Sequence, residues 1–382
     1  MKILVFCPYY PPHTGGLETH SDEFNKSLAL NGVEVIVFTP NIPYVENVEE
    51  MRFNRVHIIR YPAFEIISNY PVPKFWHPTF WKSLHSLFRS DFDIVISRTR
   101  FFLSSLMALF YAKTTGTKWI HIEHGSDSVK LSSSFKTMVA RVYDSLIGRL
   151  IFRSSDLNIS ISHAVQKFVA LFDKRPSPII YRGLDFEGID TVMPDTTFQK
   201  KYAGKIILAT AARLYKWKGI DTTLASIREL PEEIRSQIVF LIIGNGEDYQ
   251  RLQTLGESLP IELLGNLPRE RVMSILKATD IYIHSSLPGG GLSTSLLEAM
   301  YCECAVIATP NEGANEIVEH NKNGILIESS SAEEIGIAIK ELVLNPMKRK
   351  TFSDSAKRNV RERFSWDSSI GKYLEIFQTI LK

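Results

Sequence analysis

Strand-length apolar runs alternate with helix-length stretches of spaced apolar residues along almost the whole chain, and few folds accept that alternation. Residues 3–6, 35–38, 94–97, 119–122 and 157–160 form one set of strand-like runs, with helical spacing at 18–31 and 101–115. Gly32 follows the first of these helices, where a C-terminal cap belongs. A second set has strand-like runs at 206–210, 239–243, 261–264, 281–284, 305–308 and 324–327, with helical spacing at 219–230, 249–259, 269–277 and 332–344. Strands separated by helices predict parallel sheets covered on both faces. The expected class is therefore α/β, with two parallel-sheet units joined by a linker near 184–204, a stretch poor in apolar runs that contains Asp185, Gly188, Pro194 and Asp195. Ligands of open α/β sheets sit outside the carboxyl ends of the strands, so two such sheets facing one another would form a cleft.

One stretch of the second set carries chemistry. From His284 to Gly324 its central part reads as a glycine loop (Gly289, Gly290, Gly291), then Leu292, then the helix-capping group Ser293, Thr294, Ser295, then a helix with Leu296, Leu297, Ala299 and Met300. A side-chain oxygen at the cap accepts an orphan N–H, and the remaining N–H groups with the positive helix end suit an anion. The stretch points to a bound phosphate. Glu298, one turn inside the helix, suggests a ligand that also bears hydroxyls.

Bulk composition narrows the class. The 382 residues favour more than one domain, and 44% hydrophobic with 23% charged residues is ordinary for a soluble protein. A net charge of +2 gives nucleic-acid binding no support. Three cysteines, Cys7, Cys302 and Cys304, argue against a disulfide framework and for a reducing compartment, and they are too few for a zinc site. The first apolar run ends at Cys7-Pro8, too short for a signal-peptide core, and no run approaches the length needed to span a bilayer. The expected location is cytoplasmic, with the inner face of the cell membrane as a further place of work.

The order of motifs resembles a family-4 glycosyltransferase of the GT-B fold. The resemblance is carried by GGLETH at 15–20, HG at 124–125, ISHAV at 161–165, YRGLD at 181–185, ARLYKWKG at 212–219, IGNGED at 243–248, LGNLP at 264–268, LLEAM, EGANEIVEHNKNG and FSW at 364–366. It implies two Rossmann-like domains, residues 1–190 on the acceptor side and 200–363 binding a nucleotide-sugar, with 364–382 as a closing helix that returns to the first. It also implies a retaining transfer of a sugar from a nucleotide diphosphate to an acceptor hydroxyl, in the synthesis of a glycan, glycolipid or cell-surface polysaccharide. No metal or other cofactor is expected.

The hardest task in that reaction is stabilising the leaving diphosphate, which preorganised cations and N–H groups do. Arg213 and Lys218 fit, one as a planar fork and one as a point charge. Both would also be ordinary as solvated surface residues. The resemblance implies further donor contacts from Gly15, Gly16, Gly244, Gly246, Leu264, Gly290, Gly291, Leu292, Ser293 and Glu298. Glu298 is read as accepting the ribose hydroxyls, against the plainer reading of a helix glutamate paired with a nearby arginine or lysine. His124 resembles the family histidine beside the sugar, with Glu123 as an extra carboxylate. One departure stands out: Gly290 occupies the position where the family pattern usually has a second glutamate near the sugar 3-hydroxyl, which leaves room for a bulkier sugar or for a side chain such as Asn311 or Glu312 to substitute.

Two matches are decoys. Asp91-Phe92-Asp93 has the D-x-D form of metal-dependent transferases but precedes a strand, and Asn158-Ile159-Ser160 is a glycosylation sequon inside a predicted buried strand. Two segments bear on the acceptor. Residues 70–88 carry Tyr70, Phe75, Trp76, Phe80, Trp81 and Phe88, with Lys74, Lys82 and the following Arg89, and residues 134–153 carry Phe135, Met138, Val139, Val142, Leu146 and Leu150 with Lys136, Arg141, Arg149 and Arg153. Such faces suit an anionic membrane and a lipid-linked acceptor, but helices covering a sheet give the same pattern, and that plainer explanation is preferred. Rival functions are a non-catalytic nucleotide-sugar-binding protein, suggested by Gly290, and a nucleotide-sugar epimerase.

Overall fold

The computed structural model describes residues 1–67, 70–127, 134–287, 292–311 and 313–382, with the side chains of residues 67, 134–137 and 139 left out. The chain divides into two compact units, Met1–Gly183 with Trp366–Lys382, and Leu184–Ser365.

The first unit has a seven-stranded main sheet and a separate two-stranded hairpin; its strands are β1 (Lys2–Phe6), β2 (Glu34–Pro40), β3 (Glu49–Arg52), β4 (Val56–Tyr61), the hairpin of β5 (Ala63–Ile67) and β6 (Tyr70–Pro73), then β7 (Ile94–Arg98), β8 (Lys118–Glu123) and β9 (Leu157–Ser160). The main sheet runs β3-β4-β2-β1-β7-β8-β9. All its pairs are parallel except the edge strand β3 against β4. The second unit has an all-parallel sheet of β10 (Ile206–Ala211), β11 (Ile238–Ile243), β12 (Ile261–Gly265), β13 (Ile281–His284), β14 (Ala305–Ala308) and β15 (Ile325–Leu326), in the order β12-β11-β10-β13-β14-β15. Strand order reverses at β1/β7 in one unit and at β10/β13 in the other. The loops leaving these strands open the crevices where α/β proteins hold ligands.

All eleven expected strands are present. The interiors explain why they read as unbroken apolar runs: Leu4, Phe6, Phe38, Val95 and Trp119 fill one core, and Leu208, Phe240, Ile242, Ile283 and Ile307 the other, all essentially without exposure. Burying each such side chain contributes about 1.5–3 kcal/mol.

The expected linker is not a linker. Residues 184–204 belong to the second unit and form two short helices, Phe186–Thr191 and Thr196–Lys201. Asp185 caps the first by accepting the Gly188 N–H at 3.2 Å, and Asp195 caps the second by accepting those of Thr197 and Phe198. The polar residues that read as linker are helix caps. The closing helix Trp366–Ile380 belongs to the first unit. Trp366 lies so close over Gly183 that a Cβ there would come within 2.6 Å of the tryptophan Cα, and its indole N–H donates to Glu23 at 3.0 Å.

Candidate active site

In the second unit the loop after β10 carries Arg213 and Lys218. It is stitched to the loop after β13: Ser285 Oγ donates to the Lys218 carbonyl at 2.9 Å, and the Leu287 N–H donates to the Trp217 carbonyl at 2.9 Å. Gly219 makes this approach possible, with φ +64° and the Ser285 carbonyl only 2.2 Å from where a Cβ would sit. Both cations thus hang on the switch-point crevice. Lys218 lies over the Trp217 ring, 4.1 Å from its centre, and among the described residues no carboxylate pairs with it. Burial, and then the charge of Arg213, push its pKa from 10.5 down to about 8.

The helix of the glycine stretch runs from Thr294 to Tyr301, with Ser293 as its cap accepting the Leu296 N–H at 3.4 Å. Leu292 is buried beside it. Gly289, Gly290, Gly291 and Glu312 lie outside the described residues. Asn311 is committed to the scaffold: its amide donates to the Ser286 carbonyl at 3.1 Å and its oxygen accepts the Ala314 N–H at 2.9 Å. These two bonds fix the Asn311 amide in place and leave it one further N–H and one oxygen lone pair. Glu298 is buried, and Arg269 donates to its Oε1 from Nε and Nη2 at 3.2 and 3.1 Å. The plainer pairing expected for this glutamate is thus present.

Gly244 and Gly246 bring the loop after β11 against the loop after β10. A Cβ on Gly244 (φ +129°) would lie 1.9 Å from the Ala212 carbonyl, and one on Gly246 would lie 2.4 Å from that of Leu214. These glycines therefore shape the ground on which Arg213 stands. Leu264 falls at a bulge, since Ile242 pairs with Leu263 and Ile243 with Gly265. A bulge re-aims the backbone, and such features recur beside active sites. His284 closes β13; burial, then Lys218, hold its imidazole neutral by lowering its pKa to about 3. A cavity of about 550 Å³ in this unit lies at the opposite end of the sheet, lined by Asp190, Lys277, Asp280, Tyr301 and Lys350, and contains none of the expected site residues.

In the first unit Gly15 is extended and Gly16 opens the helix Gly16–Leu30. Arg98 and His20, which stand with the anticipated His124, were not foreseen as site residues. Arg98, at the end of β7 and fully buried, donates from Nη1 to His20 Nδ1 at 2.9 Å and lies over the Phe24 ring at 4.6 Å. A guanidinium only donates, so Nδ1 of His20 accepts and its ring is neutral. His124 stands edge-on to His20 with ring centres 4.9 Å apart. Burial, then Arg98, hold His20 well below the ordinary histidine range and bring His124 to about 3. Arg98 Nε and Nη2 and His124 Nε2 are buried without a hydrogen-bond partner among the described residues. Thr99, which turns the chain after Arg98, has φ +60°, strain of the kind that gathers at functional sites.

Glu123, the extra carboxylate beside His124, is an anchor for the loop. It is fully buried; Oε1 accepts the His124 and Gly125 N–H groups at 2.9 and 2.7 Å, Oε2 accepts the Arg100 N–H at 3.1 Å, and the Arg100 guanidinium lies 3.0 Å away. Burial opposes its charge, but Arg100 and His121 outweigh burial and hold its pKa well below the carboxylate range. The decoys resolve as turns and core. Asp93 accepts the Lys2 N–H at 2.7 Å ahead of β7, and Asn158 is buried in β9 with its amide donating to Phe152 and Asp173. Among the described residues no three His, Cys, Asp or Glu side chains are grouped to hold a metal ion.

Comparison with known proteins assigns the family. Residues 14–187 match the model for Glycosyltransferase Family 4 and residues 195–359 the model for Glycosyl transferases group 1. An uncharacterized glycosyltransferase of Methanocaldococcus jannaschii is 43% identical over the whole chain and 99% of its own length. The GPI3 subunit of phosphatidylinositol N-acetylglucosaminyltransferase from Saccharomyces cerevisiae is 23% identical over 99% of this chain and 83% of its own. Among solved structures, sucrose-phosphate synthase from Thermosynechococcus elongatus superposes with a TM-score of 0.83 at 17% identity, covering 99% of this chain and 98% of that one. HepE of Anabaena, solved with UDP and glucose, gives 0.76 at 18% identity over 99% and 100%. The fold is GT-B, and the chain is an enzyme of the glycosyltransferases, with a family-4 first half and a group 1 second half.

Proposed function

We propose that this glycosyltransferase takes a sugar from a nucleoside-diphosphate sugar and delivers it to the hydroxyl of a glycan or lipid-linked acceptor, with retention of the anomeric configuration and without a metal ion. The observation that carries the reading is Lys218. It is a half-buried ammonium with no carboxylate partner among the described residues, standing with Arg213 on the switch-point loop after β10, which is hydrogen-bonded to the loop after β13. A cation kept in this state is matched to a polyanion arriving from solution. Arg213 and Lys218 neutralise the leaving diphosphate, and the N–H groups at Leu292 and Ser293 join them in holding it. Gly244, Gly246 and Leu264 form the wall for the base, and Glu298 accepts the ribose diol once Arg269 yields to it or shares it. In the first unit, Gly15 and Gly16 offer backbone N–H groups, and His124, kept neutral, offers Nε2 to a sugar or acceptor hydroxyl. The three cysteines are buried free thiols, which supports work in the cytoplasm. Among the described residues no helix is long and apolar enough to cross a membrane.

The test is a thermal-shift screen with UDP-, GDP- and ADP-sugars, followed by turnover with the donor that binds. Specific binding raises the melting temperature, and NMR of the product reads the anomeric configuration. Binding without hydrolysis or transfer to any acceptor would replace this reading with that of a nucleotide-sugar-binding protein, and an inverted product would refute retention.

A further inference from the structure

The helical rod of the first unit from Ser134 to Ser154 has an unusual surface. It consists of the α-helix Ser134–Tyr143, a single π-helical turn Asp144–Gly148 and the helix Arg149–Ser154. Its inner side is firmly seated. Ala140, Ile151 and Phe152 are buried, and Arg100 clamps Asp144 with two hydrogen bonds of 2.8 Å. Its outer side carries a row of large apolar side chains in the open: Met138 at 55%, Val142 at 55%, Leu146 at 66% and Leu150 at 45% exposure. Helices that merely cover a sheet bury such a row. This segment was expected to do so, and it does not.

Residues four apart on an α-helix drift around the axis, because four residues exceed one turn of 3.6. The π turn winds less per residue and offsets part of that drift, so that Leu146 and Leu150 continue the row begun by Met138 and Val142. Arg141, Arg149 and Arg153 are exposed along the same rod. Among the described residues neither Arg141 nor Arg149 has an acidic partner, and Arg153 donates from Nε to the Phe172 carbonyl at 3.0 Å. The only acid within residues 134–153 is Asp144, which is buried in the Arg100 clamp. An exposed apolar row edged by arginines, with no acid on the outer side, is complementary to an anionic lipid surface.

We propose that this rod is a peripheral membrane-docking element that inserts Met138, Val142, Leu146 and Leu150 among the acyl chains of an anionic bilayer while Arg141, Arg149 and Arg153 engage its headgroups. The inference extends the transferase reading by supplying a surface where a lipid-linked acceptor is met, and rests on that reading only to this extent. Vesicle binding needs neither donor nor turnover, so its failure would leave the transferase reading intact.

The experiment is co-sedimentation of the full chain with vesicles of phosphatidylcholine alone or phosphatidylcholine with phosphatidylglycerol. Binding is expected only with the anionic vesicles and falls as salt rises. The pair L146E/L150E abolishes it, and R141Q/R149Q lowers the partition coefficient roughly 30-fold, about fivefold per arginine near the surface. Circular dichroism and the melting temperature of both variants stay at wild-type values because the substituted side chains are exposed. Absence of binding to anionic vesicles at low salt would overturn the proposal, as would binding that survives both double variants. So would light scattering that shows a dimer of the wild type dissociated by L146E/L150E, because the row would then be a contact between copies.

Discussion

If Lys218 receives the donor diphosphate, nucleotide affinity must depend on pH in a window where other transferase contacts do not titrate. In the free protein its pKa is about 8, lowered by burial and by Arg213. A diphosphate at about 4 Å interacts with the ammonium by roughly 4 kcal/mol per unit charge at an effective dielectric of 20, which is about three pKa units and restores the group to its ordinary range or above. The bound form therefore holds a proton that the free form loses through pH 8. Affinity is full below pH 8 and falls about tenfold for each unit above it until the bound pKa is reached. Between pH 7 and 9 the protonated fraction drops from about 90% to about 10%, so Kd for the nucleoside diphosphate rises about tenfold. Isothermal titration calorimetry in buffers of different ionisation enthalpy would read both effects: near-zero proton uptake at pH 7, and close to one proton per nucleotide at pH 9. The Lys218→Arg variant keeps its charge throughout and loses the pH dependence. Lys218→Ala is weaker by about 10- to 100-fold at pH 7 and is also flat, having lost a charge-assisted hydrogen bond. A wild-type Kd that stays constant from pH 7 to 9, with no proton uptake, would refute the assignment.

The other predictions concern the ground around that lysine. Glu298→Gln separates two roles for one carboxylate: ribose recognition predicts a loss of nucleotide affinity of about 10- to 100-fold, whereas a role confined to pairing with Arg269 predicts a lower melting temperature and an unchanged Kd. Gly219→Ala places a Cβ 2.2 Å from the Ser285 carbonyl at φ +64°, and Gly265→Ala meets nothing within 4 Å at φ +68°. The second costs about 1–2 kcal/mol for its backbone conformation, and the first costs clearly more in urea unfolding and also weakens nucleotide binding by parting the two loops. His284 has a pKa of about 3 in the folded chain and an ordinary one when unfolded. Its depressed folded value means that stability is full above about pH 6.5 and falls as pH drops, by about 2 kcal/mol at pH 5; His284→Gln flattens this slope in urea titrations of the second unit.

What could be read from the sequence was whatever a short window contains. Parallel strands buried on both faces become unbroken apolar runs, so β1, β7, β11 and β14 were visible as such. In contrast β4, Val-His-Ile-Ile-Arg-Tyr, mixes polar residues into its run and went unread, along with its antiparallel neighbour β3. The helix Pro346–Arg363 buries only Phe352, Ser353, Ala356 and Val360, too narrow a stripe to stand out among its charges. The same limit governs the site. A glycine loop, a serine cap and a cation pair are local features, and the structure sets Arg213, Lys218 and Ser293 beside one strand-order reversal. Arg98, His20 and His124 come from three distant segments, and they meet because β7 lies beside β1 on one side and β8 on the other. The one available signal was a lone arginine closing the apolar run Ile-Val-Ile-Ser-Arg. Competition is harder still to read. A motif names Glu298, but whether that carboxylate answers to a ligand or to Arg269 depends on a residue 29 positions away whose side chain the fold delivers to the same oxygen. Glu123 shows the extreme: adjacent to the expected histidine and charged, it looks catalytic in a window of three residues. It becomes an anchor only once Arg100 and His121 converge on it, and by holding the His124 and Gly125 N–H groups it fixes the loop that presents His124.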